Sequence, residues 1–238
     1  MLAVTDIRLP EKCRVSLLTR GFSVVSLPLF SKLDPRVASH PDMLMLPFGD
    51  RLFVHKDYYS EAKTAMDRIL TETSLSLVLT EDAVGAEYPH DISLNVAVVG
   101  NHILGRCDAM AKAVVAYAEE CGVALVNTKQ GYAKCSAVVL GDKALITADP
   151  AVEKAARSLS LDVLRISEGH VTLDGYDHGF IGGASGVCGN TVYFCGNILA
   201  HPDGNAIKEF CQSHGFEVVS LSEEPLYDVG SLFFLSKP

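Results

Sequence analysis

The residues able to do chemistry in this chain stand in short polar tracts, each just ahead of an apolar run. The tracts are His40-Pro41-Asp42, Tyr88-Pro89-His90-Asp91, Tyr132-Ala133-Lys134-Cys135, Tyr176-Asp177-His178-Gly179 and Tyr227-Asp228-Val229-Gly230. Their tyrosines recur at 88, 132, 176 and 227. If the tracts converge, Asp42, His90, Asp91, Lys134 and Asp228 form a funnel rich in carboxylates. Such a funnel suits a small cation, and a guanidinium in particular, because carboxylates bond it bidentately. Cys135 offers different chemistry. Lys134 beside it would favour thiolate. With His178 as base and Asp177 as its orienter, the three would make a Cys/His hydrolytic site. Glu168 and His170, on a loop, are expected to line the same funnel.

Bulk properties narrow the function classes. The 238 residues carry a net charge of −9, with 21% charged and 48% hydrophobic residues. That balance supports a large core and argues against disorder. It also argues against nucleic acid as a partner, since phosphate neutralisation needs clustered Lys and Arg. No apolar run approaches a membrane span. The start, MLAVTDIRLPEKC, has no basic leader, so a cytoplasmic location is expected. Seven cysteines at 13, 107, 121, 135, 188, 195 and 211 include no C-x-x-C pair. Mostly buried free thiols are expected, with Cys188, Cys195 and Cys211 in the core. Neither a zinc site nor any other cofactor is expected. Gly182-Gly183-Ala184-Ser185-Gly186 lacks the ending of a phosphate loop and reads as a strand or bulge at a close backbone approach. A protein partner or a homo-oligomer is compatible with all of this.

The elements that must position these residues follow from a repeated turn. Gly-Asp or Gly-Asn, one residue, then apolar residues recurs at 49, 100, 141 and 189. Glycine with Asn or Asp supplies the positive φ of a two-residue hairpin turn. Around the turn at 141, Ala137–Leu140 and Ala144–Thr147 read as strands. Asp149-Pro150 caps a helix with Val152, Ala155, Ala156 and Leu159 on one face, and Leu161–Ile166 is a third strand. The same strand, turn, strand, helix, strand order fits the other turns. Its leading strands are expected over 42–46, at 95–99 and from Phe180-Ile181. Asp108 is expected to cap the second helix, with Met110, Val114 and Cys121 inward. Leu2–Thr5, a helix from Pro10 and Phe22–Leu29 supply a fifth unit without its leading strand, which Gly230–Leu235 would provide. The expected fold is an α/β, five-fold pseudo-symmetric β/α-propeller. Its five ββαβ units form one domain over 1–238, closed by the N- and C-terminal segments without exposed sheet edges.

Five such modules closed through the termini resemble the pentein fold of the guanidino-group modifying enzymes, which include deiminases, dimethylarginine hydrolases and amidinotransferases. The chain looks closest to an uncharacterised bacterial group of that fold. The resemblance implies that Asp42 and Asp91 are the counterparts of aspartates near the guanidinium site. Two departures bear on activity. The family nucleophile is a cysteine in the last strand, which here reads Asp228-Val229-Gly230-Ser231-Leu232-Phe233-Phe234. The family histidine enters the third leading strand, which here is preceded by Tyr132-Ala133-Lys134-Cys135. Glu168-Gly169-His170 is similar to a deiminase Glu-Gly-Gly-Asp element but falls in the wrong module. The resemblance thus implies a small cationic, guanidino or amino ligand without the covalent amidino intermediate. One alternative is a non-catalytic interaction protein, as in the ribosome anti-association factor of the same fold. The other is a hydrolase using Cys135, His178 and Asp177.

Overall fold

The structure, a computed structural model, describes residues 1–236. The chain runs through β1 (Leu2–Asp6), α1 (Glu11–Thr19) and β2 (Ser23–Leu27). It continues through α2 (Pro41–Leu44), β3 (Met45–Phe48), β4 (Arg51–His55), α3 (Lys56–Glu61), α4 (Lys63–Glu72) and β5 (Ser76–Thr80). Next come β6 (Ala97–Val99), β7 (His102–Gly105), α5 (Lys112–Glu120) and β8 (Ala124–Asn127). Then follow α6 (Ala133–Ser136), β9 (Ala137–Leu140), β10 (Ala144–Thr147), α7 (Pro150–Ser158) and β11 (Asp162–Arg165). The last are β12 (Ser185–Cys188), β13 (Thr191–Phe194), α8 (Gly204–Ser213), β14 (Glu217–Ser220) and β15 (Phe233–Leu235).

These strands make five three-stranded sheets. Four are consecutive in sequence: β3-β4-β5, β6-β7-β8, β9-β10-β11 and β12-β13-β14. In each, the first two strands are antiparallel and the last two parallel. The fifth is built from both chain ends: β15 pairs antiparallel with β1, Leu2 opposite Leu235, and β1 pairs parallel with β2. The four expected turns are present, with Gly49, Gly100, Gly141 and Gly189 at φ +59, +52, +61 and +55. These angles explain why glycine recurs there. A parallel return needs a crossover, and the helices supply it. In α7, Asp149 Oδ1 accepts from the Ala151 and Val152 N–H groups at 2.7 and 2.9 Å, while Val152, Ala155 and Ala156 face inward.

The middle strands explain the packing. Alternate side chains of a strand point to opposite faces, and here both faces are buried. Leu52 and Val54 join one apolar cluster and Phe53 another. Ile103 and Leu104 divide in the same way, as do Leu145 and Ile146. Each of the five clusters is therefore shared by two consecutive sheets. The last joins Ala3, Cys13 and Leu17 of the first segment to Cys195 and Leu221 of the fourth unit. Among the described residues no helix is long and apolar enough to cross a membrane.

Several elements depart from the sequence reading. The stretch 42–46 is a helical turn followed by a strand, and Ala133–Ser136 forms a second such turn ahead of β9. Strands begin later than expected, at Ala97, Ser185 and Phe233. Pro28 removes a donor just after β2, which stops at Leu27 rather than Leu29. Asp108 does not cap α5, because Arg106 holds its carboxylate at 2.9 and 3.1 Å. Cys121 sits exposed at the end of that helix.

Candidate functional site

Two short helical turns aim the polar residues. A four-residue helix cannot satisfy its own N–H groups, so each turn is tied elsewhere. In α2, the Asp42 N–H donates to Gly230 O at 3.0 Å, fixing it to the approach to β15. In α6, the Lys134 and Cys135 N–H groups donate to Asn95 Oδ1 at 2.9 and 3.2 Å. The third fixed point is Gly230-Ser231, both left-handed at φ +63 and +71. A Cβ on Gly230 would overlap the His40 ring, so the approach of that ring itself requires glycine. For Ser231 the same conformation carries strain, and its hydroxyl is fully buried against Asp42.

The side chains form one network. Ser231 Oγ donates to Asp42 Oδ2 at 2.6 Å, and Cys135 Sγ donates to the same oxygen at 3.1 Å. Lys134 Nζ donates to Ser231 Oγ at 3.0 Å. Asn95 Nδ2 donates to Cys135 Sγ at 3.0 Å. Asp42 Oδ1 is buried without a hydrogen-bond partner among the described residues. Asp228, also buried, accepts from Phe180 N at 2.8 Å and from Gly230 N at 2.9 Å. The His40 ring stands between two carboxylates, 3.7 Å from Asp6 and 4.0 Å from Asp228. Burial raises the Asp228 carboxyl pKa above the ordinary value, although His40 works against it. Burial also lowers the Lys134 ammonium pKa, with Asp42 opposing. The Cys135 thiol is pushed far up, first by burial and then by Asp42 and Asp228.

Above this network lies a cavity of about 160 Å³. Its polar lining comes from His40, Cys135, His178 and Asp228, and its aromatic walls from Tyr132, Tyr176 and Phe180, with Val37, Met43 and Leu173 completing it. A smaller cavity, about 40 Å³, adjoins it across His178 and Phe180 and is lined by Glu168, His170 and His201. Among the described residues no group of three or more His, Cys, Asp or Glu side chains is placed to hold a metal ion.

A family model described as a family of unknown function, DUF6873, matches residues 4–233. The chain belongs to that family. No curated protein sequence matches it. Solved structures do. A C-to-S mutant of DDAH from Pseudomonas aeruginosa, complexed with citrulline, is 11% identical over 93% of this chain and 91% of that one, with a TM-score of 0.56. C. jejuni agmatine deiminase is 8% identical over 93% and 87%, with a TM-score of 0.57. SxtG, an amidinotransferase from Microseira wollei, is 11% identical over 93% and 88%, with a TM-score of 0.53. At these identities the likeness concerns the fold. The DUF6873 chain has the mixed α/β pentein fold of the guanidino-group modifying enzymes, with small sheets.

Within this member of the family, the structure brings Asp42, Lys134, Cys135 and Asp228 together and separates the other candidates. Asp91 is buried outside the cavity and accepts the Tyr132 hydroxyl at 2.7 Å. His90 is exposed and borders a surface hollow with Asp82 and Asp108. Glu168 and His170 line the smaller cavity instead of the larger one. The arrangement of Cys135, His178 and Asp177 does not form. His178 Nδ1–H donates to Gly179 O at 3.0 Å, Cys135 donates to Asp42, and Asp177 is exposed. Lys134 does not favour the thiolate either, because its ammonium reaches Ser231 while carboxylates face the sulfur. His40, Asn95, Ser231, Tyr132 and Phe180 complete the site. Of these, His40 and Tyr132 lie inside the polar tracts of the sequence, Ser231 directly follows one, and Phe180 opens an expected strand. Asn95 carried no local signal beyond its place before an apolar run.

Proposed function

We propose that the chain is a five-unit β/α-propeller closed by its two ends, and that it binds one small cation with a guanidino or amino head in the larger cavity. The observation that carries this reading is the buried charge. Asp42 and Asp228 lie in or directly beneath the cavity, and Lys134 is the cation hydrogen-bonded into their network. Apart from Lys134, the basic group facing the pair is the His40 ring, which is 4.0 Å from Asp228 and shared with Asp6, so two buried carboxylates are only weakly compensated, and that is costly. A bound monocation would remove that cost. The shared clusters and the β1–β15 pairing support the closed ring. Covalent amidino chemistry is not part of the proposal: Ser231 stands in the last-strand tract and Lys134-Cys135 in the third, with the thiol held protonated.

The test is a thermal-shift and calorimetric screen with arginine, agmatine and alkylammonium salts at millimolar concentration. Binding to the native state raises its apparent stability. At least one monocation is expected to raise the midpoint, and Asp228→Asn to remove the effect; the variant loses one of two backbone hydrogen bonds and some stability, so its fold is checked by circular dichroism. If no cation stabilises the protein, the proposal falls and the non-catalytic interaction protein becomes the better reading.

A further inference from the structure

The charges beside the larger cavity leave one position that either a proton or a cation fills. Asp6 has its own cation: Arg8 donates to it through Nε at 3.0 Å and Nη2 at 2.7 Å, and Ser39 Oγ donates to it at 2.8 Å. Lys134 reaches Asp42 through the Ser231 hydroxyl. Asp228 accepts two backbone N–H groups, but among the described residues the His40 ring is the only basic side chain within 4.0 Å of it. Three carboxylates therefore face Arg8, Lys134 and, only when its ring is protonated, His40. The other titratable groups packed around this point do not supply the missing charge. Burial pushes the Cys135 thiol and the Tyr132, Tyr176 and Tyr227 hydroxyls up, so all four stay neutral. His178, the other imidazole of the lining, places its Nδ1–H on Gly179 O. His40 and Asp228 both line the cavity, and both are buried, at 3% and 1% exposure. A cation drawn to Asp228 thus arrives in the field of the His40 ring. Out of water an imidazolium there repels it strongly, and a neutral imidazole does not.

Resting on the cation reading above, we propose that the ligand and a proton on His40 exclude one another, so that the cavity takes up one monocation in exchange for one proton. In acid the imidazolium is the partner of Asp228, and toward alkaline pH the ligand takes its place. The sign follows from the proton count. The bound state holds one proton fewer than the free state, so affinity rises with pH and falls by up to about tenfold per pH unit where His40 protonates. The coupling is reciprocal: the cation weakens proton binding at His40 by the factor by which the proton weakens the cation. His40 is thereby the pH-sensing residue of the site.

The experiment titrates the full chain by calorimetry, between pH 5 and pH 8 at matched ionic strength, with methylguanidinium chloride and propylammonium chloride, which both stay charged over that range. At pH 6.5 each titration is repeated in phosphate and in ACES, whose different heats of ionisation count the protons released. Affinity is expected to fall about tenfold or more from pH 8 to pH 5, with net proton release where it falls. His40→Gln, checked for native circular dichroism, is expected to bind equally across the range and to release no proton. Should that variant fail to fold, the ¹⁵N resonances of the His40 ring in the parent decide: saturation with ligand at pH 6 is expected to move them from imidazolium to neutral imidazole values. Affinity that is flat with pH, or that rises toward acid, overturns the exchange and leaves the cation reading standing. Proton release that persists unchanged in His40→Gln, or His40 resonances that do not move, also overturns it. Binding of neither cation at any pH overturns both.

Discussion

Cys135 is positioned as a nucleophile would be but has the electrostatics of a structural thiol. It lines the cavity, yet burial and two carboxylates hold its proton in place. At pH 8 its alkylation by iodoacetamide is expected to be slower than that of exposed Cys121 by a factor on the order of a hundred, since only thiolate reacts. Peptide mapping after timed quenching measures the ratio, and labelling of Cys135 ahead of Cys121 would restore the hydrolase reading. Asp42 makes a stability prediction. Asp42→Ala removes the acceptor of both Ser231 and Cys135, although Gly182 O remains 3.1 Å from the serine hydroxyl. A loss of about 1–3 kcal/mol is expected from urea unfolding, because a buried donor left unpaired costs about its desolvation. These residues also show where sequence reading stops. Asp42, Lys134, Cys135 and Asp228 were legible because each lies in a polar tract ahead of an apolar run. Their partners were not. Asn95 reaches Cys135 across 40 residues and Ser231 reaches Asp42 across 189, and no local pattern encodes such contacts.

Among the elements, turns that depend on a dihedral were readable and short helices were not. Glycine with Asp or Asn announces positive φ directly, and all four turns have it. The helical turns α2 and α6 hold four residues each, too few for a 3.6-residue period to appear; the first read as part of a strand over 42–46 and the second as a polar tract ahead of one. What holds α2 in place is His55 at the end of β4, which donates from Nε2 to Met43 O and accepts at Nδ1 from Thr80, each at 3.2 Å. Burial lowers the His55 pKa from 6.5 to about 4. The native state therefore binds fewer protons than the unfolded chain between those values, so this contribution to stability is present above pH 6.5 and lost as pH falls toward 4. At pH 5 the loss relative to pH 7 is about 2 kcal/mol from this one group. Urea midpoints between pH 7 and 5 are expected to fall in the wild type and to flatten in His55→Gln. A slope unchanged in the variant would place the effect elsewhere. The Asp149 cap of α7 gives a second comparison: Asp149→Ala is expected to cost about 1 kcal/mol, as N-caps do.

At the scale of the whole molecule, the pairing of β15 with β1 brings both ends of the described chain into one sheet, and it carries a prediction of its own. Phe233 and Leu235 fill the cluster that joins β1 and β2 to β3 and β4, so the last strand belongs to the same core as the first. The two ends of the described chain leave that sheet side by side, with Leu2 opposite Leu235. A chain whose ends meet in one sheet can be joined there and reopened at an exposed turn without removing a core contact. The Gly141-Asp142 turn is exposed and its strands are held by β9–β10 pairing and by clusters on both faces. A circular permutant of this chain that links its first and last residues through a short glycine-rich linker and begins at Asp142 is thus expected to unfold in one cooperative transition. It should keep the cation response proposed for the parent, because Asp42, Cys135 and Asp228 are gathered by tertiary contacts and not by chain order. Truncation before Phe233 makes the opposite change: it strips β1 of its antiparallel partner and opens the Phe233–Leu235 cluster. Deleting one buried Phe and one buried Leu from a packed cluster costs several kcal/mol each, which approaches the whole stability of an ordinary domain. The truncated chain is therefore expected to lose cooperative unfolding altogether. A truncated protein as stable as the parent would show that the fold does not depend on the β15–β1 pairing.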